Sequence, residues 1–335
     1  MISIRHVTAD DAVATRLWVE QQAELRGLYV DEADQTGDDT FSRELDTTTV
    51  FASVVGSDDA GAPVASAVLQ WASDELPLGS IEAKRLYIRP SYRRRGYSRV
   101  MMGAVEVDAR RSGATSVVLG TGTEQPAAIA LYERMGYREI EPYGEYAEYA
   151  TTVCFAKDLS TRVLVVNGSI GAGKTTSAAA VFDALEARSS RVAFIDGDFL
   201  SQAKPNPSDD PYNQRLLFAN LAALAPVYRS RGIGLVVIAR VVEDPDDRAR
   251  YAEAFKSEAG PADVSIVRVH APRDVREARL AAREPEGRWR DWALARTDEL
   301  DESLDALDLD DAVVSTDGRT REDVAEDVLA GAGWA

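Results

Sequence analysis

Arg162-Val163-Leu164-Val165-Val166-Asn167-Gly168-Ser169-Ile170-Gly171-Ala172-Gly173-Lys174-Thr175-Thr176 reads as a short apolar strand, a glycine-rich turn and the start of a helix. The turn fits G-x-x-x-x-G-K-[ST], with a strand before it and a helix after it. Glycines let such a loop wrap so that its backbone N–H groups point inward at phosphate. The helix N-terminus adds its partial positive charge. Lys174 is expected to neutralise the β and γ phosphates, and the Thr175 hydroxyl to ligate Mg2+. Gly168, Ser169, Ile170, Gly171, Ala172, Gly173, Lys174, Thr175 and Thr176 are therefore the expected ATP-binding residues. A plain glycine-rich turn is the alternative, and the flanking elements weigh against it.

Outward from this loop, the second half alternates strand and helix. Its strands are expected at 163–167, 192–195, 234–239, 265–270 and 311–315, short and rich in Val and Ile. That pattern suits strands buried on both faces, joined by right-handed crossovers into a parallel sheet. The first half alternates too. Strands are expected at 49–55, 63–72, 81–88, 116–119 and 150–156, and helices to about Leu28, over 96–112 and over 126–135, the last stopping at Gly136. The fold class is α/β in two domains, a mixed and mostly antiparallel sheet over 1–158 and a parallel sheet with helices on both faces over 161–335. No Gly/Ser- or Pro-rich linker separates them.

The second half resembles small-molecule kinases of the P-loop superfamily: gluconate kinase, adenylylsulfate kinase and chloramphenicol phosphotransferase. Besides the loop, Phe194-Ile195-Asp196-Gly197-Asp198-Phe199-Leu200 carries the likeness. The resemblance implies that Asp196 helps hold Mg2+ and that Asp198 orients or deprotonates the acceptor hydroxyl. An Asp-Gly turn capping a strand is the plainer reading. Asn213-Gln214-Arg215 is similar to an Asn-x-Arg stretch whose arginine, here Arg215, faces the acceptor. Arg240-Val241-Val242 stands where adenylylsulfate kinases have Ser-Pro, and Ser201-Gln202 where gluconate kinases have His-Pro, so neither acceptor is expected. Arg279, Arg283, Arg288 and Arg290 fall in the segment that forms a lid in these kinases, and Arg283 is the preferred phosphate-facing residue. Trp289 and Trp292 either close that lid or pack it.

In the first half, Arg93-Arg94-Arg95-Gly96-Tyr97-Ser98 follows a strand ending at Pro90 and opens a helix. Such a basic turn at a helix N-terminus could bind a pyrophosphate. The half resembles the GNAT family of N-acetyltransferases over nearly its whole length. Arg93-x-x-Gly96-x-Ser98 matches [QR]-x-x-G-x-[GA] except at the last position, and Ala128-Ile129-Ala130-Leu131-Tyr132-Glu133-Arg134-Met135-Gly136-Tyr137 matches the second signature. The resemblance implies acetyl-CoA as cofactor, Tyr132 protonating the leaving thiolate, Gln125 contacting pantetheine, and the backbone of Leu86, Tyr87 and Ile88 pairing with it. Glu82 is the candidate base for the attacking amine; a salt bridge with Lys84 or Arg85 is the plainer role. The acceptor is expected between residues 18–29 and 143–149, whose glutamates suit an amine.

The 335 residues carry a net charge of -18. Residues 1–158 hold 25 acids against 16 Lys/Arg, and residues 159–335 hold 31 against 22, so each half has a surplus of nine acids. Neither half offers a phosphate-backbone footprint, and nucleic acid is not an expected partner. One cysteine, Cys154, excludes an internal disulfide, and no apolar run reaches about 18 residues. The expectation is a cytoplasmic, bifunctional transferase without membrane attachment. It would acetylate an amine and phosphorylate a hydroxyl of small molecules, two groups that one amino-hydroxy compound offers together. The competing expectations are one vestigial half, or an acetyltransferase gated by a nucleotide-binding domain.

Overall fold

Alternation of apolar and small residues builds the first sheet, and continuous Val/Ile runs build the second. The computed structural model describes residues 2–29, 49–72 and 75–335. Two units result: Met1–Arg110 with Ala114–Leu159, and Arg111–Gly113 with Ser160–Ala335.

The first unit has strands β1 (Ser3–Val7), β2 (Val50–Ser57), β3 (Pro63–Trp71), β4 (Ser80–Ile88), β5 (Ser116–Gly122), β6 (Arg138–Ile140) and β7 (Thr152–Asp158). Their order is β1-β2-β3-β4-β5-β7-β6, and only the β4–β5 pair is parallel. Helix α1 (Ala12–Leu28) starts at Asp11, whose carboxylate accepts from the Val13 and Ala14 N–H groups at 2.9 Å. That cap satisfies two donors no helix can satisfy internally. Helix α2 (Tyr97–Arg111) buries Met101, Met102, Val105 and Ala109, an i, i+1, i+4, i+8 stripe, against Leu69, Ile81 and Leu119 of the sheet. Helix α3 (Pro126–Arg134) ends before Gly136 at φ +81°.

One feature of this sheet prepares a site. The parallel ladder joins only Ser80–Glu82 to Ser116–Val118, although β4 runs on to Ile88 and β5 to Gly122. The strands part where β4 bulges: Arg85 has φ +56°, and the register against β3 shifts between Ser66 and Val68. A bulge bends its strand and stops pairing.

The second unit has strands β8 (Arg162–Asn167), β9 (Val192–Asp196), β10 (Leu235–Ala239), β11 (Asp263–His270) and β12 (Ala312–Ser315). All pairs are parallel, in the order β12-β11-β8-β10-β9. Side chains of β8 alternate between two cores, Leu164 and Val166 on one face and Val163 and Val165 on the other. The helices covering them are α4 (Lys174–Ala187), α5 (Gly197–Leu200), α6 (Gln214–Ser230), α7 (Asp247–Ala254), α8 (Arg273–Arg283), α9 (Arg288–Leu307) and α10 (Arg321–Gly331). Ala239 sits opposite both Val166 and Asp196, so the glycine loop, Asp196 and Arg240 emerge side by side at the strands' carboxyl ends. Ligands of open α/β sheets bind at that edge. Among the described residues no helix is long and apolar enough to cross a membrane.

Candidate active sites

In the second unit the loop takes the shape its glycines allow. Gly168, Gly171 and Gly173 have φ of +144°, +83° and +107°. A Cβ on Gly168 would lie 2.3 Å from the Val269 carbonyl oxygen, and one on Gly171 2.9 Å from the Arg276 carbonyl oxygen. The loop is thus pressed against β11 and α8, and the Gly168 N–H is taken by the Asn167 side-chain oxygen at 2.8 Å. Its outer face is held by polar contacts. Thr297 donates to the Ile170 carbonyl at 2.6 Å, and Ser169 donates to Asp301 at 3.2 Å. Arg276, buried, donates to Asp301 at 2.9 Å and Asp298 at 3.2 Å. Arg279 bonds the Gly171 and Ala172 carbonyls and Thr316.

A cavity of about 1040 Å³ opens from this loop. Lys174, Thr175 and Thr176 line it together with Asp198, Arg240 and Arg283. Lys174 Nζ donates to the Ser169 carbonyl at 3.1 Å. Burial pushes its pKa down to about 8 against the pull of Asp198, with Arg240 and Arg283 adding to the fall. Thr175 Oγ1 donates to Asp196 Oδ2 at 3.1 Å, and Asp196 also caps α5 by accepting from the Asp198 N–H at 3.0 Å. Asp198 is ion-paired with Arg240, whose guanidinium also reaches Ser201 Oγ at 3.1 Å.

The structure does not bring Arg215 to this cavity. Its guanidinium lies outside the lining, paired with Asp209 at 2.8 Å and Asp210 at 3.4 Å. The reason is local: Asp210 caps α6, accepting from the Gln214 and Arg215 N–H groups, and holds the arginine at that end. Arg240 lines the cavity instead, paired with Asp198. Its signal in the sequence is its place directly after an apolar strand, at the edge where ligands bind.

In the first unit, Glu82 is buried and fully engaged. Its Oε1 accepts from Tyr143 at 3.1 Å and Tyr146 at 2.8 Å; its Oε2 accepts from Gln70 at 3.1 Å and lies 3.3 Å from Lys84 Nζ. Burial, with Glu82 beside them, raises the pKa of both tyrosines, so both hydroxyls keep their protons. Gly120 makes room: a Cβ there would lie 2.8 Å from the Tyr146 ring. Gly122 does the same for Tyr29, whose hydroxyl would lie 1.7 Å from a Cβ, with Gln125 Nε2 3.3 Å away. Tyr132 is buried between Tyr137 and Phe155, at 5.9 and 5.8 Å between rings, and burial raises its pKa.

The basic turn has Arg94 at φ +60° and Gly96 at φ +78°, and α2 begins at Tyr97. Alternating handedness of this kind turns successive N–H groups to one side. Ser98 is half-buried in the first turn. The arginines differ in freedom. Arg93 donates to Glu24 at 2.7 Å and to the Ile88 carbonyl at 2.9 Å, while Arg95 donates to the Ser91 carbonyl at 3.1 Å. The Arg89 N–H bonds Val64 on β3, so alternation turns the carbonyls of Leu86 and Ile88 toward the gap between β4 and β5. Gln21 of α1 donates to the Leu86 carbonyl at 2.9 Å. The stretch expected to pair with pantetheine is thus capped by the protein's own side chains. Sequence reading missed Gln21, which looks like any polar helix residue, as it missed Gln70 on β3. Glu20, Glu24 and Glu145 are among the glutamates that make residues 18–29 and 143–149 acidic, either as polar faces or as a setting for an amine. They are paired with Arg89, Arg93 and Lys84.

Comparison with known proteins matches residues 15–137 to the acetyltransferase (GNAT) family and residues 163–308 to an AAA domain family. An IAA acetyltransferase of Azospirillum brasilense is 31% identical over 78 residues, 23% of this chain and 51% of that protein. The chain therefore spans about half the length of that relative. Among solved structures, a candidate acyl-CoA N-acyltransferase from Klebsiella pneumoniae is 27% identical, covering 48% of this chain and 98% of that one, with a TM-score of 0.39. The PaiA N-acetyltransferase from Thermoplasma acidophilum, solved with coenzyme A, is 13% identical over 48% of this chain and 99% of that one, with a TM-score of 0.36.

Proposed function

We propose, from the premise that residues 15–137 form a GNAT acetyltransferase domain and residues 163–308 an AAA-type P-loop domain, that this protein is a bifunctional transferase. The first unit moves the acetyl group of acetyl-CoA to an amine. The second moves the γ-phosphoryl group of ATP to a hydroxyl. Both acceptors are small molecules, and an amino-hydroxy compound such as an amino sugar offers both groups.

The observation that carries the phosphotransferase reading is the cavity that Lys174, Thr175 and Asp198 line together, with the Thr175 hydroxyl 3.1 Å from Asp196 Oδ2. A hydroxyl and a carboxylate oxygen at hydrogen-bond distance are the hard donors magnesium takes. Magnesium, when bound, would spread the charge of the phosphates. Lys174 and the loop N–H groups orient those phosphates, Asp198 positions the acceptor hydroxyl and takes its proton, and Arg283 steadies the transferring group.

In the first unit, Glu82 accepts hydrogen bonds from Tyr143, Tyr146 and Gln70 and has the Lys84 ammonium 3.3 Å away. A proton leaving the amine therefore reaches it through a tyrosine: Tyr146 accepts on its oxygen as its own proton passes to Glu82 Oε1. Tyr132, protonated at ordinary pH, is the donor for the departing thiolate.

Mass spectrometry tests the reading. Amino sugars, polyamines, nucleosides and sugar acids are each offered with ATP-magnesium, with acetyl-CoA, or with both. One compound gaining an acetyl and a phosphoryl group, lost respectively in Tyr132→Phe and Lys174→Ala, is the expected result. ATP bound but transferred to none of them, while acetylation responds to it, would replace this reading with a nucleotide-controlled acetyltransferase.

A further inference from the structure

The geometry points to an acceptor subsite, in the cavity of the second unit, for a planar ring that carries an N–H or O–H donor on its edge and the hydroxyl to be phosphorylated. The inference rests on the phosphotransferase reading and narrows its acceptor.

Three observations converge. Trp289 and Trp292, one turn apart on α9, stack at 4.7 Å with 24° between planes, and both line the cavity. They are 55% and 41% exposed, a large apolar face for a protein to leave in water. Tyr212, 47% exposed, lines the same cavity. Arg296, itself ion-paired with Glu243, lies over its ring at 5.8 Å. A flat apolar ligand recovers this exposed area by continuing the stack, where offset aromatic faces attract.

The third observation concerns polar atoms. Asn206 Oδ1 and Gln214 Oε1, both on residues of the cavity wall, are buried without a hydrogen-bond partner. The Asn206 Nδ2 donates to the Pro211 carbonyl, which leaves its Oδ1 as the atom without a partner. Buried groups of this kind call for a partner, and these two ask for donors. A plain hydrocarbon ring supplies none. A saturated polyol supplies donors but not the flat face. A ring amine or ring hydroxyl supplies both.

Position assigns this end of the cavity to the acceptor. Asn206, Tyr212 and Gln214 lie on the segment that follows Asp198, the residue that takes the acceptor's proton in the proposed transfer, and line the same cavity as Asp198. In the transfer step the acceptor O–H bond breaks, its proton passes to Asp198, its oxygen bonds the γ-phosphorus, and the bond to the β-phosphate oxygen breaks to release ADP.

The test is calorimetric titration of the full chain, loaded with magnesium and a non-hydrolysable ATP analogue. The probes are 4-aminobenzyl alcohol, benzyl alcohol and glucosamine. The expected order of affinity is 4-aminobenzyl alcohol first, then benzyl alcohol, with glucosamine weakest. Trp292→Ala should weaken both aromatic alcohols about fivefold. Asn206→Leu should abolish the preference for the amino compound while keeping benzyl alcohol binding. Fluorescent ATP-analogue binding should be the same in all variants. If glucosamine binds best, or neither aromatic alcohol binds while the analogue does, the subsite assignment is wrong. If Trp292→Ala weakens the analogue instead, the aromatic pair serves the nucleotide. Failure of the wild type to bind the analogue overturns the phosphotransferase reading itself, a separate outcome.

Discussion

Lys174 ties nucleotide binding to pH. Its pKa lies near 8 because burial disfavours the ammonium. Below that pH the side chain is charged and matched to phosphate; above it the neutral fraction grows. Bound phosphate favours the charged form, so binding near pH 8 draws a proton from solution. ATP affinity is therefore expected to fall as pH rises from 7 to 9, and the binding enthalpy to depend on the buffer. Calorimetry in two buffers reads both, and a flat profile would mean that Lys174 is fully charged throughout. The glycines offer a contrast at the same scale. Gly168→Ala puts a Cβ 2.3 Å from the Val269 carbonyl oxygen, a backbone atom that cannot yield. Gly173→Ala meets nothing nearer than 3.7 Å and bears only the strain of φ +107°. The first should abolish nucleotide binding. The second should cost about 1–2 kcal/mol of stability in urea unfolding and leave measurable binding. Glu82 is the matching case in the first unit. Glu82→Ala removes the acceptor of the Tyr143 and Tyr146 hydroxyls, while Lys84 keeps Glu145, and should destabilise that unit by about 3 kcal/mol. Glu82→Gln keeps an acceptor for the tyrosines and should cost less than half of that, while slowing acetyl transfer by about 10²-fold or more.

At the scale of elements, what could be read from sequence followed its physics. Strands β8 to β12 are Val/Ile runs bounded by turns, so their places were plain from periodicity, as was the loop that only glycines can shape. The splay of β4 from β5 was legible only through family resemblance. It arises from a bulge at Arg85, and nothing local in Lys84-Arg85-Leu86 marks a positive φ. Helix α7 and the three-residue β6 left no signal strong enough to register. Asp298 and Asp301 stand in a stretch rich in acids, yet they turn inward to Arg276 because α9 packs on α8. Long-range pairing of this kind has no sequence period. Docking of α1 on β4 is the same sort of fact, and it has a consequence for CoA. Pantetheine pairing at Leu86, as proposed, would compete with Gln21 for that carbonyl. Gln21→Ala is expected to tighten acetyl-CoA binding about fivefold, the worth of one hydrogen bond not broken. Weaker binding would show instead that Gln21 itself holds the coenzyme.

At the scale of the molecule, each unit has its own core and its own candidate site, and no side chain named for one site belongs to the other unit. A shared chain therefore does not by itself make a shared mechanism. Fusion can raise the local concentration of a common intermediate, or it can let one ligand alter affinity for the other. The second case obeys a strict rule: if acetyl-CoA changes ATP affinity by some factor, ATP changes acetyl-CoA affinity by the same factor. Two independent sites give a factor of one. Titrating ATP with and without saturating acetyl-CoA, and then the reverse, measures that factor twice on one sample. We expect unity within twofold in both directions, because neither constellation needs a group from the other. Glu82→Ala should then lower the stability of its own unit while leaving ATP affinity unchanged. A factor of about ten or more, equal in both directions, would instead show coupling worth about 1.4 kcal/mol. Acetylation would then be governed by nucleotide, and the phosphate loop would be a sensor rather than a second catalyst.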